Sequence, residues 1–281
     1  MPKSLDLIEA SPEEVAHQLQ TMEARGVWRN APHDDAAVPI DSHTYRDVTA
    51  QVSRGVVNVF TQTTVIGGIY SDPLGVFPFK VGIPIPHRGS VLGSGFLIGN
   101  GYVVTSRRVV AAAQSIEVQI PNMAGGLPAQ VLGAVPSTEV ALLKIEPRET
   151  VAASLALGAS AKVAAGEPVV AIGNPFGTGP TVRPGVVSFR VSRLPQTEES
   201  NEHGVEFFQT TAPIQPGESG GPLVDIHGAV IGMNVFPDTE GSPSKSAVHD
   251  AGYAVPIDAV KASVAQILSR PSVPVPNLPL P

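Results

Sequence analysis

Between residues 50 and 256 the chain alternates between short β-branched apolar runs and clusters of Gly, Pro, Asn and Asp. The runs fall at 56–64, 95–98, 102–105, 116–120, 140–145, 169–172, 186–191, 204–211 and 224–235. Val, Ile and Thr suit a pleated, half-buried surface, and the residues between the runs supply turns. Such spacing over some 200 residues builds two small barrels or one large sandwich. Gly and Pro, 28 of each, make up about a fifth of the 281 residues, which argues for an all-β body. A hydrophobic content of 42% supports a buried core and excludes disorder throughout.

Helical periodicity is confined to the ends. Ser11-Pro12-Glu13-Glu14 is an N-cap followed by Pro and acids, and Val15, Leu19 and Met22 recur at helical spacing up to Gly26. Residues 27–47 read as a polar strap without pattern. At the other end, Val260, Val264, Ile267 and Leu268 share one face of a closing helix over 257–269. The tail, 271–281, holds five Pro in eleven residues and reads as extended chain. The formal charge of −7 argues against nucleic acid as a partner, and zero Cys removes disulfides and thiolate chemistry. No apolar stretch of about 18 residues spans a membrane, and residues 1–10 show no signal peptide. As written the chain reads as cytoplasmic, or as extracytoplasmic if a leader has been removed.

The chemistry concentrates in Pro216-Gly217-Glu218-Ser219-Gly220-Gly221-Pro222-Leu223. Small neighbours expose the Ser219 hydroxyl, and a tight bend can aim the N–H groups of Gly217 and Ser219 at one point, as an oxyanion hole requires. Taken alone, the same string also fits an ordinary Gly-rich turn.

The motif resembles the nucleophile loop of trypsin-like serine proteases, and its surroundings resemble the HtrA/Deg branch. Gln209-Thr210-Thr211-Ala212-Pro213-Ile214-Gln215-Pro216-Gly217 is similar to that branch's approach to the serine. Gly93-Ser94-Gly95-Phe96-Leu97-Ile98, Gly101-Tyr102-Val103-Val104-Thr105, Ala171-Ile172-Gly173-Asn174-Pro175-Phe176-Gly177 and Ala251-Gly252-Tyr253-Ala254-Val255-Pro256 follow in the family's order. The resemblance implies a trypsin-like double β-barrel over 48–270. Barrel one would cover about 48–160 and barrel two about 161–256. The 1–47 segment precedes them, and no PDZ domain is expected in the Pro-rich tail, unless one has been removed after it.

The triad departs from the family. The stretch that carries the general base reads Thr105-Ser106-Arg107-Arg108-Val109-Val110, with Arg108 at the His position. The stretch that carries the orienting acid reads Glu139-Val140-Ala141-Leu142-Leu143-Lys144, with Glu139 at the Asp position. A guanidinium is a donor with no lone pair to offer and cannot take the serine proton. Arg108 and Glu139 are therefore expected to form a buried or half-buried ion pair that fills the vacated site. His87 and His203 are the candidates for rescuing the base, and His227 reads as a solvated turn residue.

His33-Asp34-Asp35 and Asp41 with His43 are short N/O clusters lacking a third or fourth ligand, so no metal is assigned. Ile69-Tyr70-Ser71-Asp72-Pro73-Leu74-Gly75-Val76-Phe77-Pro78-Phe79 suits neither strand nor helix, and its resemblance to an HtrA loop implies a homo-oligomer, with a trimer favoured. Pro213, Ile214, Gly232, Met233 and Asn234 would form a shallow apolar substrate pocket, with peptides adding along the strand at 233–235. The function that follows is a catalytically impaired HtrA-like pseudoprotease binding extended peptides or a protein partner, without cofactor. An active HtrA-type serine endopeptidase and a metal-binding regulator on the same fold are the alternatives.

Overall fold

The computed structural model describes residues 12–32, 39–70, 82–111, 113–146, 154–192, 194, 206–236 and 251–269, with backbone alone at 12, 64–70 and 82–89. Helix α1 (Pro12–Ala24), strand β1 (Arg29–Asn30) and helix α2 (Thr44–Val52) lead into the body. Strands β2 (Val56–Tyr70), β3 (Gly82–Gly99) and β4 (Tyr102–Ser106), a helical turn α3 (Arg107–Val110), and strands β5 (Ser115–Gln119), β6 (Leu127–Val135) and β7 (Val140–Ile145) follow. Then come β8 (Ala156–Leu157), β9 (Pro168–Gly173), β10 (Thr181–Val191), β11 (Phe207–Thr210), β12 (Pro222–Asp225), β13 (Val230–Val235), β14 (Gly252–Pro256) and helix α4 (Ile257–Ser269).

The strands close two barrels. The first runs β2-β3-β4-β7-β6-β5 and closes through the β2–β5 pairing. The second runs β13-β12-β9-β10-β11-β14 and closes through β13–β14. Strand β8 adds to β13 in parallel, Val230 opposite Leu157, and β1 adds to β8. The chain thus crosses to the second sheet before residue 156, earlier than the boundary near 160 read from the sequence.

Period-two alternation explains why several strands read as unbroken apolar runs. Leu97, Val103, Leu143 and Ile145 fill barrel one, while their neighbours Phe96, Ile98, Val104 and Leu142 face outward. In barrel two, Val169 and Ala171 point inward and Val170 and Ile172 outward. The outward sets meet each other, together with Met22, Trp28, Val48, Met233, Val260 and Val264, in one seam between the barrels. Strands buried on both faces lose the polar-out half of the pattern.

Three local differences from the sequence reading have identifiable causes. Helix α2 lies in and beyond the supposed strap, where Val48 and Val52 are buried one turn apart within a polar segment. Strand β6 is interrupted in sequence by Pro128 and Gly133, and Gly133 sits where a Cβ would meet Ile267 Cγ2 at 2.9 Å. The single run 224–235 is a hairpin, turned where Asp225 Oδ1 accepts from the N–H groups of His227 and Ala229. Burial pushes the Asp225 carboxyl above the usual carboxylate range.

Strands β2 and β3 continue past the barrel as a two-stranded arm, pairing Val65 with His87 and Tyr70 with Gly82. Ile69 and Tyr70 are therefore strand, contrary to expectation, and residues 71–81 of the aromatic segment lie outside the described residues. No described helix is long and apolar enough to cross a membrane.

Helix α4 packs on β6 and β7 of one barrel and on β13 and β14 of the other. Its fully buried Ile257 lies in the seam. Ile257→Ala should lower stability by about 2–5 kcal/mol in urea unfolding followed by the emission of Trp28, the single tryptophan. Val91→Ala, at an exposed strand position, should stay within about 0.5 kcal/mol of the parent.

Candidate active site

The loop from Ala212 to Gly221 joins β11 to β12 and carries Ser219. Gly217 and Gly220 have φ of +86° and +89°, angles that side-chain-bearing residues rarely adopt. A Cβ on Gly220 would lie 2.3 Å from Ser94 O and 2.8 Å from Ser106 N, so the loop beds directly on β3 and β4. Ser94 fastens it: its N–H donates to Ser219 O at 3.0 Å, and its Oγ donates to Gly217 O at 2.7 Å. From beneath, Gly220 N–H donates to Asn234 O and Asn234 N–H donates to Gly221 O, both at 2.8 Å.

Glu218, between the two key residues, is held as firmly. Its carboxylate is 4% exposed and accepts the Nε–H of Arg183 at 2.8 and 2.9 Å, and one oxygen also accepts from Gln215 N–H. Sequence reasoning passed over Arg183 and Ser94, since nothing in a linear pattern marks a strand residue from 35 or 123 positions away as a loop anchor. The Ser219 hydroxyl, 8% exposed by residue, accepts a long hydrogen bond from Phe236 N–H at 3.4 Å.

Glu139 follows a short helical turn and has φ of +57°. Its side chain is 6% exposed, and each oxygen takes a different arginine: Arg107 Nη2 at 2.9 Å and Arg108 Nε at 3.2 Å. Arg107 N–H also donates to Glu139 O at 2.7 Å, tying α3 to the start of β7. The Arg108–Glu139 pair is thus part of a three-residue clamp that includes Arg107, whose signal in the sequence was the Arg doublet itself. Among the described residues no hydrogen bond joins Ser219 Oγ to an imidazole, to Arg108 or to Glu139. Of the two rescue candidates, His87 lies on the β2–β3 arm with its side chain undescribed and His203 lies outside the described residues; His227 is in the exposed β12–β13 turn.

The pocket residues divide. Ile214 is buried beside Gly252, where a Cβ would meet its Cδ1 at 3.0 Å, and Pro213 is partly exposed. Gly232, Met233 and Asn234 are closed off from solvent. Met233 fills the seam, and Asn234 Nδ2 donates to Ile172 O and Pro222 O. They support the serine loop from below and do not line an open cleft. Met233 already pairs with Pro222 on one side and Val255 on the other, so an added strand cannot lie along it as expected and would have to begin at Val235.

The metal clusters also separate. Asp41 Oδ1 accepts from the N–H groups of His43 and Thr44, which hold its carboxyl below the usual range. His33-Asp34-Asp35 lies outside the described residues. Among the described residues no group of three or more His, Asp or Glu is placed to hold a metal ion.

Two closed barrels with a Gly-Glu-Ser-Gly-Gly loop across their seam match the trypsin-like peptidase domain over residues 93–233. The chain belongs to the trypsin-like peptidase family. Within it the similarity runs to HtrA/DegP proteins. A putative serine protease HhoA of Synechocystis sp. is 34% identical over 255 residues, covering 86% of this chain and 61% of the relative. A probable periplasmic DegP-like serine endoprotease of Pseudomonas fluorescens is 40% identical over 191 residues, covering 64% of this chain and 37% of the relative. A serine-to-alanine variant of the HtrA-type protease AlgW, solved with a decapeptide, superposes with a TM-score of 0.66 at 30% identity, covering 80% of this chain and 67% of that one. The chain therefore spans about three-fifths of the HhoA relative and little over a third of the DegP-like one.

A carboxylate shared by two cations should respond non-additively to their removal. Arg108→Ala alone is expected to cost about 1 kcal/mol or less, because Arg107 stays on Glu139. The Arg107→Ala/Arg108→Ala pair should cost about 3–5 kcal/mol, because Glu139 is then buried without a counter-charge. Equal losses for the single and double variants in urea unfolding would mean that Arg107 contributes nothing.

Proposed function

We propose that this protein is an HtrA-like pseudoprotease that binds extended peptides or a protein partner without cutting them. The observation that carries the reading is the occupancy of Glu139, both of whose oxygens accept from arginines. An imidazole acting as base needs an acid on its far nitrogen to hold its tautomer and orientation. Here that acid is committed to guanidinium groups, which are permanent donors with no lone pair to accept a proton. Losing the base costs ~10⁴–10⁶ in rate, leaving only what the oxyanion hole and binding supply. Peptide binding survives that loss in this reading, because the loop keeps its turn, its small residues and its anchors. The peptide would run alongside 235–236, next to Ile214 and Pro213.

A second reading, an active HtrA-type serine endopeptidase, is supported to the same degree by the relatives, which are described as proteases. We propose further that the chain forms a homo-oligomer, with a trimer favoured.

Labelling by a fluorophosphonate probe separates the two. The pseudoprotease reading expects Ser219 to label no faster than the unfolded chain, and unfolded casein to stay intact after a day by mass spectrometry. Rapid labelling lost in Ser219→Ala, with new peptide termini, would establish the enzyme. Replacing Arg108 by His and Glu139 by Asp together should raise cleavage at least ~10²-fold over the parent, since a positioned base contributes ~10²–10⁴. Arg108→His alone should recover less, because the longer Glu139 and its Arg107 partner misplace the ring.

A further inference from the structure

We propose that the site at Ser219 captures the free C-terminal carboxylate of a bound peptide, held between the N–H groups of Gly217 and Ser219 and the guanidinium of Arg108. The inference rests on the peptide-binding reading above and names the group that binding would recognise.

The first observation is a pair of unused donors. Along the loop, Glu218 N–H donates to Gln215 O, Gly220 N–H to Asn234 O and Gly221 N–H to Glu218 O. The N–H groups of Gly217 and Ser219 meet no acceptor among the described residues. Backbone donors rarely stay unpaired, and two of them on alternate residues of one tight turn make a concavity that accepts an anion.

The second observation is charge. Two guanidinium groups share the single carboxylate of Glu139, which leaves one positive charge uncompensated on a chain whose net charge is −7. The terminal nitrogens of Arg108 have no partner among the described residues, and Arg107 Nε is buried without one. The other carboxylate of the loop, Glu218, does not oppose an incoming anion, because Arg183 neutralises it. The backbone that carries Arg108 adjoins the loop, since Gly220 beds against Ser106 N and Ser106 Oγ accepts from Arg108 N–H at the start of α3.

A neutral peptide carbonyl would gain little from the extra cation. A terminal carboxylate offers two charged acceptor oxygens, one face for the N–H pair and one for the guanidinium, and charge-assisted hydrogen bonds are roughly twice as strong as neutral ones. An arginine beside unpaired backbone donors thus turns a site for a reacting carbonyl into one for a carboxylate. No bond is made or broken.

Fluorescein-labelled octapeptides ending in Ala, Val or Leu, each as free acid and as C-terminal amide, test this by anisotropy titration of the intact chain. The free acid of at least one pair should bind about tenfold or more tightly than its amide. Arg108→Gln should shrink the difference by weakening the free acid more than the amide. Glu139→Gln, which removes the competing charge, should widen it; a variant that merely damages the fold would weaken both forms alike. Equal affinity of acid and amide overturns the carboxylate inference and leaves peptide binding standing. No binding of either form overturns both. Cleavage of the amide peptides, read by mass spectrometry at the end of the titration, overturns the pseudoprotease reading alone.

Discussion

One buried side chain, Ser94, joins the two barrels at the point where the chemistry would take place. It sits on β3 of barrel one, donates its N–H to Ser219 O and its Oγ–H to Gly217 O, and accepts from Asn174 N–H at the end of β9. Its own carbonyl accepts from Thr105 Oγ1 on β4. A fully buried hydroxyl with every polar group matched is costly to misplace, so the serine loop inherits its geometry from the barrel beneath it. Asn58 reinforces the junction by donating to Gly93 O, Asn174 O and Pro175 O. A Cβ on Gly217 would strike Pro175 Cβ at 2.7 Å, which sets how closely the loop and this turn approach.

Around that junction stand two buried carboxylates, each matched by arginine. Glu218 and Arg183 form a closed pair that holds the loop from within. Glu139 carries two arginines and leaves charge over. The difference separates scaffold from site. A balanced pair needs nothing more, whereas an excess guanidinium in a partly dry setting favours an anion.

Much of the fold was legible because its signals are local. Turn residues mark where strands stop, and Val260, Val264 and Ile267 on one helical face announce α4 without reference to anything distant. Legibility failed where local pattern and tertiary use diverged. Strand β6 carries Pro128 and Gly133, and it is the approach of Ile267 from α4 that makes glycine suitable there. Helix α2 is only nine residues long, and the seam that receives Val48 and Val52, with Tyr45 against it, fixes its apolar face.

The sequence by itself determined the fold class, the Gly-Glu-Ser-Gly-Gly string of the serine loop and the permanent charge carried by Arg108. Those follow from residue types at short spacing and from the donor-only chemistry of a guanidinium. Only the tertiary structure decided the partners. It placed Arg107 beside Arg108 on one carboxylate, Arg183 under the loop, and Met233 and Asn234 in the interior. Hydrogen bonds and ion pairs act over about 3 Å, a distance along which residues 31 or 123 positions apart in the chain meet only after both barrels have closed.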